Sequence, residues 1–192
     1  MDYQKVLDEI SAEIGLIEGS GKVATYIPEL GNVQPDKFGI YLQCTDGQGY
    51  FVGDALETFS IQSISKVLSL SLALKLIGNH MWKRIGVEPS GDPFNSLVQL
   101  EYEKGIPRNP FINAGALVVA DILISELKNP KVDFLQYVRD LAEDQTIQYN
   151  TKVAESEMEH KFRNASLTHL MKDFGNIKND VNEVLDFYFH QC

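Results

Sequence analysis

Ser63-Ile64-Ser65-Lys66 sets a hydroxyl three residues ahead of an amine, at the point where a strand-and-loop pattern gives way to a helical one. Residues three apart on a helix share a face, so the Lys66 amine is expected to reach the Ser63 hydroxyl. Serine is a poor nucleophile at neutral pH and needs a base beside it. An amine desolvated among leucines loses basicity and can accept that proton. The start of a helix adds free backbone N–H groups, which suit the oxyanion formed when an acyl carbon is attacked. The pattern is short, and roughly one Ser-x-x-Lys is expected by chance in a chain of this length and ordinary composition. Its everyday use is a serine cap with a solvent-reaching lysine. A second copy, Ser125-Glu126-Leu127-Lys128, lies at the end of its helix before Asn129-Pro130, where carbonyls rather than N–H groups are free. Only the first copy has the setting that catalysis requires.

The elements that must position Ser63 are legible as changes of period. Val6, Ile10, Ile14 and Ile17 form one apolar stripe of a helix that ends at Gly19-Ser20-Gly21. Phe38, Ile40 and Leu42 alternate with Gly39, Tyr41 and Gln43, and Tyr50-Phe51-Val52 follows Asp46-Gly47, which predicts a hairpin. From Ile61 through Ile64, Val67 and Leu68 the spacing becomes helical and runs Leu-rich to Gly78-Asn79, predicting a central buried helix. Prolines and glycines punctuate Gly86 to Pro110, which predicts ordered loop or short helix. Helical spacing then returns over Ala114 to Lys128, Val132 to Glu143, Glu155 to Lys172 and Asp180 to Phe189, with no further strand. An isolated hairpin is marginal in water, so more strands or a covering helix are called for.

Composition narrows the classes of function. With 27 acidic and 17 basic residues the formal charge is -10, a field that repels phosphate backbones and anionic lipid, so neither nucleic acid nor a membrane is an expected partner. The N-terminus mixes acidic and apolar residues, unlike a secretion signal, and the apolar run around Leu68 to Ile77 is too short to span a bilayer. A cytoplasmic protein is expected. Cys44 and Cys192 lack metal-type spacing and are expected to be reduced thiols. His80, His160, His169 and His190 likewise show no ligand spacing, and no metal or other cofactor is implied.

The words around the motif resemble those of the serine-dependent glutaminases, a branch of the serine β-lactamase and penicillin-binding protein superfamily. They run in order along nearly the whole chain: VATYIPEL from Val23, TDGQ from Thr45, GDALETFSIQSISKVLSL from Gly53, EPSGDPFNSLVQL from Glu88, GIPRNPFINAGALVV from Gly105, SEMEHKFRN from Ser156, and LDFYFHQC at the end. The resemblance implies a mixed α/β fold of the β-lactamase/transpeptidase type. Residues 1–62 would form the N-terminal part of the sheet domain and 63–192 a helical domain. It implies hydrolysis of L-glutamine to L-glutamate and ammonia, with Ser63 as nucleophile and Lys66 as base. Ser63, Asn113, Glu157, Asn164 and Tyr188 fall at substrate-binding positions, and Tyr26 at a further pocket position.

Elementary chemistry agrees with that set. Glutamine carries an ammonium and a carboxylate on its α-carbon, so its site needs one anionic group for the first and uncharged donors for the second. Glu157 supplies the charge, and Asn113, Asn164 and Tyr188 the donors. Glu157 and Asn164 are seven apart and would share a face of one helix. Each residue also has an ordinary use: Glu157 lies in the Glu155, Glu157, Glu159 run that suits a solvated face. Asn113 suits a helix cap, and Tyr188 suits a core position.

Family members of this kind are long enough to continue past residue 192, through further sheet strands, a second catalytic tyrosine and a lysine-serine-glycine strand. By that resemblance the C-terminal remainder of the sheet domain is absent here, and the 192-residue chain is expected to be inactive or nearly so. The family's members often form homotetramers, so a homo-oligomer is implied. The alternatives are another Ser-x-x-Lys acyl hydrolase of the penicillin-binding type, and a glutamine-binding or oligomerising module without catalysis.

Overall fold

The computed structural model describes residues 1–15 and 21–192. The predicted helix-end residues Ile17, Gly19 and Ser20 lie outside the described residues. The chain divides into two units, Met1–Phe59 and Ser60–Cys192. The division falls just ahead of Ser63, so Ser60 to Gln62, assigned by sequence to the sheet part, belong with the helices.

The first unit holds helix α1 (Tyr3–Gly15), the short α2 (Pro28–Gly31) and an antiparallel hairpin of β1 (Gly39–Gln43) and β2 (Gly49–Gly53). The register pairs Ile40 with Val52, Tyr41 with Phe51 and Leu42 with Tyr50. The turn is closed by Cys44 N–H donating to Gln48 O (2.9 Å), with Gly47 at φ 88° where a side chain would be strained. In β1 the alternation sorts the faces as the sequence predicts, with Ile40 and Leu42 half-buried and Tyr41 exposed; in β2 Tyr50 and Val52 are half-buried, and the exposed Phe51 stacks on Tyr41 at 6.3 Å. Helix α1 supplies the cover that a lone hairpin needs. Tyr3 packs on Tyr50 at 5.5 Å, and Gln4 Nε2 donates to Phe51 O at 3.0 Å. The packed face of α1 differs from the predicted stripe. Leu7 is the buried residue, with Ile14 half-buried, whereas Val6 and Ile10 are exposed.

The second unit begins with a 3₁₀ turn (Gln62–Ile64) that runs into α3 (Ser65–Ile77). There follow a 3₁₀ segment (Gly78–Lys83), α4 (Leu97–Tyr102), α5 (Asn113–Glu126), α6 (Pro130–Ala142), α7 (Thr151–Glu159), α8 (Phe162–Asp173) and α9 (Val181–His190). The buried centre is α5 and not, as the leucines of α3 predict, α3 itself. Every residue of α5 from Ala114 to Leu123 is buried, and α3, α8 and α9 pack against it. Its Gly and Ala residues let neighbours approach from all sides. A Cβ on Gly115 would sit 1.9 Å from Asn109 O, so the 109–110 loop closes directly onto the helix. In α3 the inward face is Ser65, Lys66, Ser69, Leu72 and Ala73, while Val67, Leu74 and Leu76 face outward.

One polar hub crosses this core. Asp121, fully buried on α5, accepts from the Arg84 guanidinium (2.5 Å) and from the main-chain N–H of Lys178 and Asn179. Asn179 Nδ2 also donates to it at 2.9 Å. Asn176 donates onward to Arg84 O and Gly105 O, which ties the loop after α8 to the segments before α4 and α5. A buried carboxylate is tolerable only with such a full complement of donors.

The predicted helix over Glu155 to Lys172 is two helices, α7 and α8, separated at His160 and Lys161. No glycine or proline marks that break, so the apolar spacing ran through it. Glu157 and Asn164 therefore do not share one helical face.

Candidate active site

Ser63 lies in the 3₁₀ turn and is exposed. The Ile64 N–H closes that turn on Ile61 O (3.0 Å), and the Ser65 N–H bonds to Gln62 O and Ser63 O. The Gln62 N–H donates to the main-chain oxygen of Cys192. The Ser63 N–H has no acceptor within the turn, which suits it to receive an oxyanion. Ser65, the other serine of the motif, is buried and donates to Gln62 O at 2.7 Å. The two serines are thereby sorted: one holds the turn and the other faces outward.

Lys66, on the first turn of α3, is 3% exposed. Its Nζ donates to Phe111 O (3.0 Å) and to Asn113 Oδ1 (2.9 Å), and lies 6.0 Å from the centre of the Phe94 ring. Burial pushes its pKa below the ordinary lysine range, opposed by the weaker influence of Cys192. Among the described residues no hydrogen bond joins Lys66 to Ser63, so the contact expected from their spacing is not made directly. The geometry still serves a base. A neutral amine has two N–H donors, both spent here on fixed oxygens, and its one lone pair is left for a proton. In proteins without substrate the nucleophile–base contact is often long.

Asn113 is the first residue of α5; Ile112 holds the cap position. The cap use of Asn113 is therefore excluded, and Asn109 Oδ1 receives the N–H groups of Phe111 and Ile112 instead. Lys66 Nζ donates to Asn113 Oδ1, which leaves Nδ2 of Asn113 turned away from the amine. That Nδ2 donates to Asn164 Oδ1 at 3.0 Å. Asn164 is half-buried on α8, and among the described residues its own Nδ2 meets no hydrogen-bond acceptor. Lys66, Asn113 and Asn164 thus form one oriented chain of side chains drawn from three helices.

Glu157 is 7% exposed on α7, between the exposed Glu155 and Glu159. The solvated-face use of this run holds for its neighbours and fails for Glu157. Tyr188 is buried on α9, against which α7 and α8 pack. The Cys192 thiol, just past α9, reports what surrounds it. Its pKa is pushed up to about 12, first by burial and then by Glu157, with Lys66 acting in the opposite sense. That thiol donates to Tyr188 O at 3.8 Å. Tyr26, in the first unit, is 55% exposed. The second Ser-x-x-Lys is no rival: α5 ends at Glu126, Lys128 lies beyond it, and Ser125 bonds to Asp121 O.

Sequence reasoning missed four parts. These are the Phe111 carbonyl and the Phe94 ring around Lys66, the main-chain oxygen of Cys192, and Gln62, whose φ is 45°. Adjacency to Asn113 pointed toward Phe111; nothing in residue type signals the others.

An outward serine at a helix start with a dry lysine on the following turn is an arrangement suited to serine–lysine acyl chemistry. The family model for glutaminase matches residues 21–192. A glutaminase of Christiangramia forsetii is 55% identical over 192 residues, covering all of this chain and 63% of that protein. One from Saccharophagus degradans is 57% identical over 192 residues, covering all of this chain and 62% of that protein. The solved structure of the probable glutaminase ybaS superposes with a TM-score of 0.91 at 32% identity, over 98% of this chain and 61% of that one. The crystal structure of Mglu in its glutamate form gives 0.88 at 32% identity, over 98% of this chain and 43% of that one. The chain belongs to the glutaminase family, with its mixed α/β, β-lactamase-like fold. It spans 63% and 62% of the length of the two relatives named.

Proposed function

We propose that these 192 residues carry the nucleophile and much of the substrate pocket of an enzyme that hydrolyses L-glutamine to L-glutamate and ammonia. In this mechanism Ser63 attacks the side-chain amide carbon while its proton passes to Lys66. The tetrahedral intermediate collapses as ammonia leaves with a proton from Lys66, and water then hydrolyses the glutamyl–serine ester. The Ser63 N–H meets the oxyanion. Glu157 faces the substrate ammonium, and Asn113, Asn164 and Tyr188 provide uncharged donors for its carboxylate.

One observation carries the proposal. Lys66 is dry, short of its usual basicity and oriented by two fixed acceptors, which is costly for a lysine that serves packing alone. The glutamate form of Mglu supports the choice of ligand. Further parts of the proposal are a cytoplasmic setting, supported by two unpaired cysteines, and a homotetramer, supported by the family. Among the described residues no helix is long and apolar enough to cross a membrane.

Ammonia release from L-glutamine, measured beside Ser63→Ala, tests the chemistry. Release that disappears in the variant supports it, and release that persists rules out Ser63. This chain alone is proposed to turn over little. The second arm is therefore reaction of Ser63 with a fluorophosphonate, which labels activated serines. No release together with an unlabelled Ser63 would sink the proposal.

A further inference from the structure

Two groups ahead of the nucleophile end on one atom. The Ser60 hydroxyl donates to the main-chain oxygen of Cys192 at 2.8 Å, and the Gln62 N–H donates to the same oxygen at 3.1 Å. Gln62 Nε2 donates back to Ser60 Oγ at 2.9 Å, so the hydroxyl both gives and receives. Gln62 has φ 45°, a left-handed conformation that costs free energy for any residue with a Cβ and persists only where its surroundings impose it. Its backbone and its side chain are both held through the Ser60–Cys192 pair. Since Gln62 immediately precedes Ser63, relaxing that φ would re-aim the nucleophile.

The other end of the tie is equally well placed. Cys192 lies two residues past the end of α9, its N–H donates to Phe189 O (3.2 Å) and its thiol donates to Tyr188 O (3.8 Å). The oxygen that receives Ser60 and Gln62 therefore lies just past the helix bearing Tyr188.

Resting on the assignment of Ser63 as nucleophile, we propose that Ser60 is a positioning residue. Its hydroxyl locks the left-handed turn at Gln62 to the end of α9, and so aims Ser63 relative to Tyr188. Ser60 touches no reacting atom in this scheme; it acts through Gln62 and Cys192.

The test compares the full chain with Ser60→Ala, Ser60→Cys and Ser60→Thr in two measurements: hydrogen exchange at the Gln62 amide, and the rate at which a fluorophosphonate labels Ser63. Small misplacements of a reacting group cost up to about a hundredfold. Ser60→Ala is accordingly expected to lose protection at the Gln62 amide and to label about tenfold to a hundredfold more slowly, with little change in melting temperature. Ser60→Thr keeps the hydroxyl and labels like the parent, and Ser60→Cys, a weaker donor, falls between. If Ser60→Ala does not fold, the order of the serine, threonine and cysteine forms decides. Equal labelling rates across the series, or a Gln62 amide unprotected in the parent, overturns the proposal while leaving Ser63 intact. A parent chain whose Ser63 is never labelled overturns the nucleophile assignment, and this proposal with it.

Discussion

Lys66 Nζ lies 2.9 Å from Asn113 Oδ1, and that single bond decides the orientation of both ends of the site. It holds the amine in a dry position, and it turns Asn113 so that its amide nitrogen faces Asn164 at 3.0 Å. The proposed base and the proposed substrate-side donors are therefore one assembly, and changing either residue is expected to move both.

Lys66→Met keeps the volume and removes the base. Labelling of Ser63 by a fluorophosphonate is expected to fall by about a hundredfold or more, with the helical circular dichroism retained. Stability carries a second signature. The folded pKa of Lys66 is depressed, so between that value and the ordinary lysine value of 10.5 the unfolded chain binds more protons than the folded one. Parent stability should rise relative to Lys66→Met as pH climbs through that window, and the advantage should disappear as pH falls below the folded pKa. Denaturant melts at a series of pH values measure this; a constant difference would contradict it.

Asn113→Asp places a carboxylate against the amine. An opposite charge at that distance favours protonated Lys66 and raises its pKa. Ser63 labelling at neutral pH should drop about tenfold or more and recover at higher pH, shifting the whole pH–rate profile alkaline. Asn113→Ala lacks the added charge and should lower the rate without that shift.

Glu157→Gln is nearly isosteric and removes the buried charge assigned to the substrate ammonium. A hydrogen bond to a charged group is worth about 1.5–3 kcal/mol. Calorimetric affinity for L-glutamate should therefore weaken by about tenfold to a hundredfold, with fold and Ser63 labelling retained. Unchanged affinity would remove Glu157 from the pocket.

Asp121→Ala removes the buried carboxylate that pairs with the Arg84 guanidinium and leaves the N–H groups of Lys178 and Asn179 without that acceptor. Breaking one side of a buried pair costs about 3–5 kcal/mol. Thermal denaturation should show a large loss, and Asp121→Asn, which keeps one acceptor, a smaller one.

Gly115→Ala tests the closure of the 109–110 loop onto α5. The added methyl group would meet Asn109 O at 1.9 Å, so the backbone must shift. Overpacking of this kind costs about 1–3 kcal/mol. Because Asn109 also holds Phe111 and Ile112, whose neighbour is Asn113, Ser63 labelling should fall along with stability.

The sequence by itself determined the hairpin and the rough bounds of most of the longer helices, and it singled out Ser63 and Lys66 as the residues to examine. These follow from local rules. Period-two alternation sorted Ile40 and Leu42 from Tyr41, and the helix-end setting of Ser125 to Lys128 disqualified the second motif. Only the tertiary structure decided that α5 rather than α3 is central, that Glu157 turns inward between two solvated glutamates, and that α7 and α8 are separate helices. Apolarity says that a face is buried but not against what, and the same leucines serve a central or a flanking helix equally well. The Lys66–Asn113–Asn164 chain, the Asp121 hub and the tie of Ser60 and Gln62 to Cys192 each join residues dozens of positions apart. Such contacts depend on how the helices cross, and no local spacing encodes them.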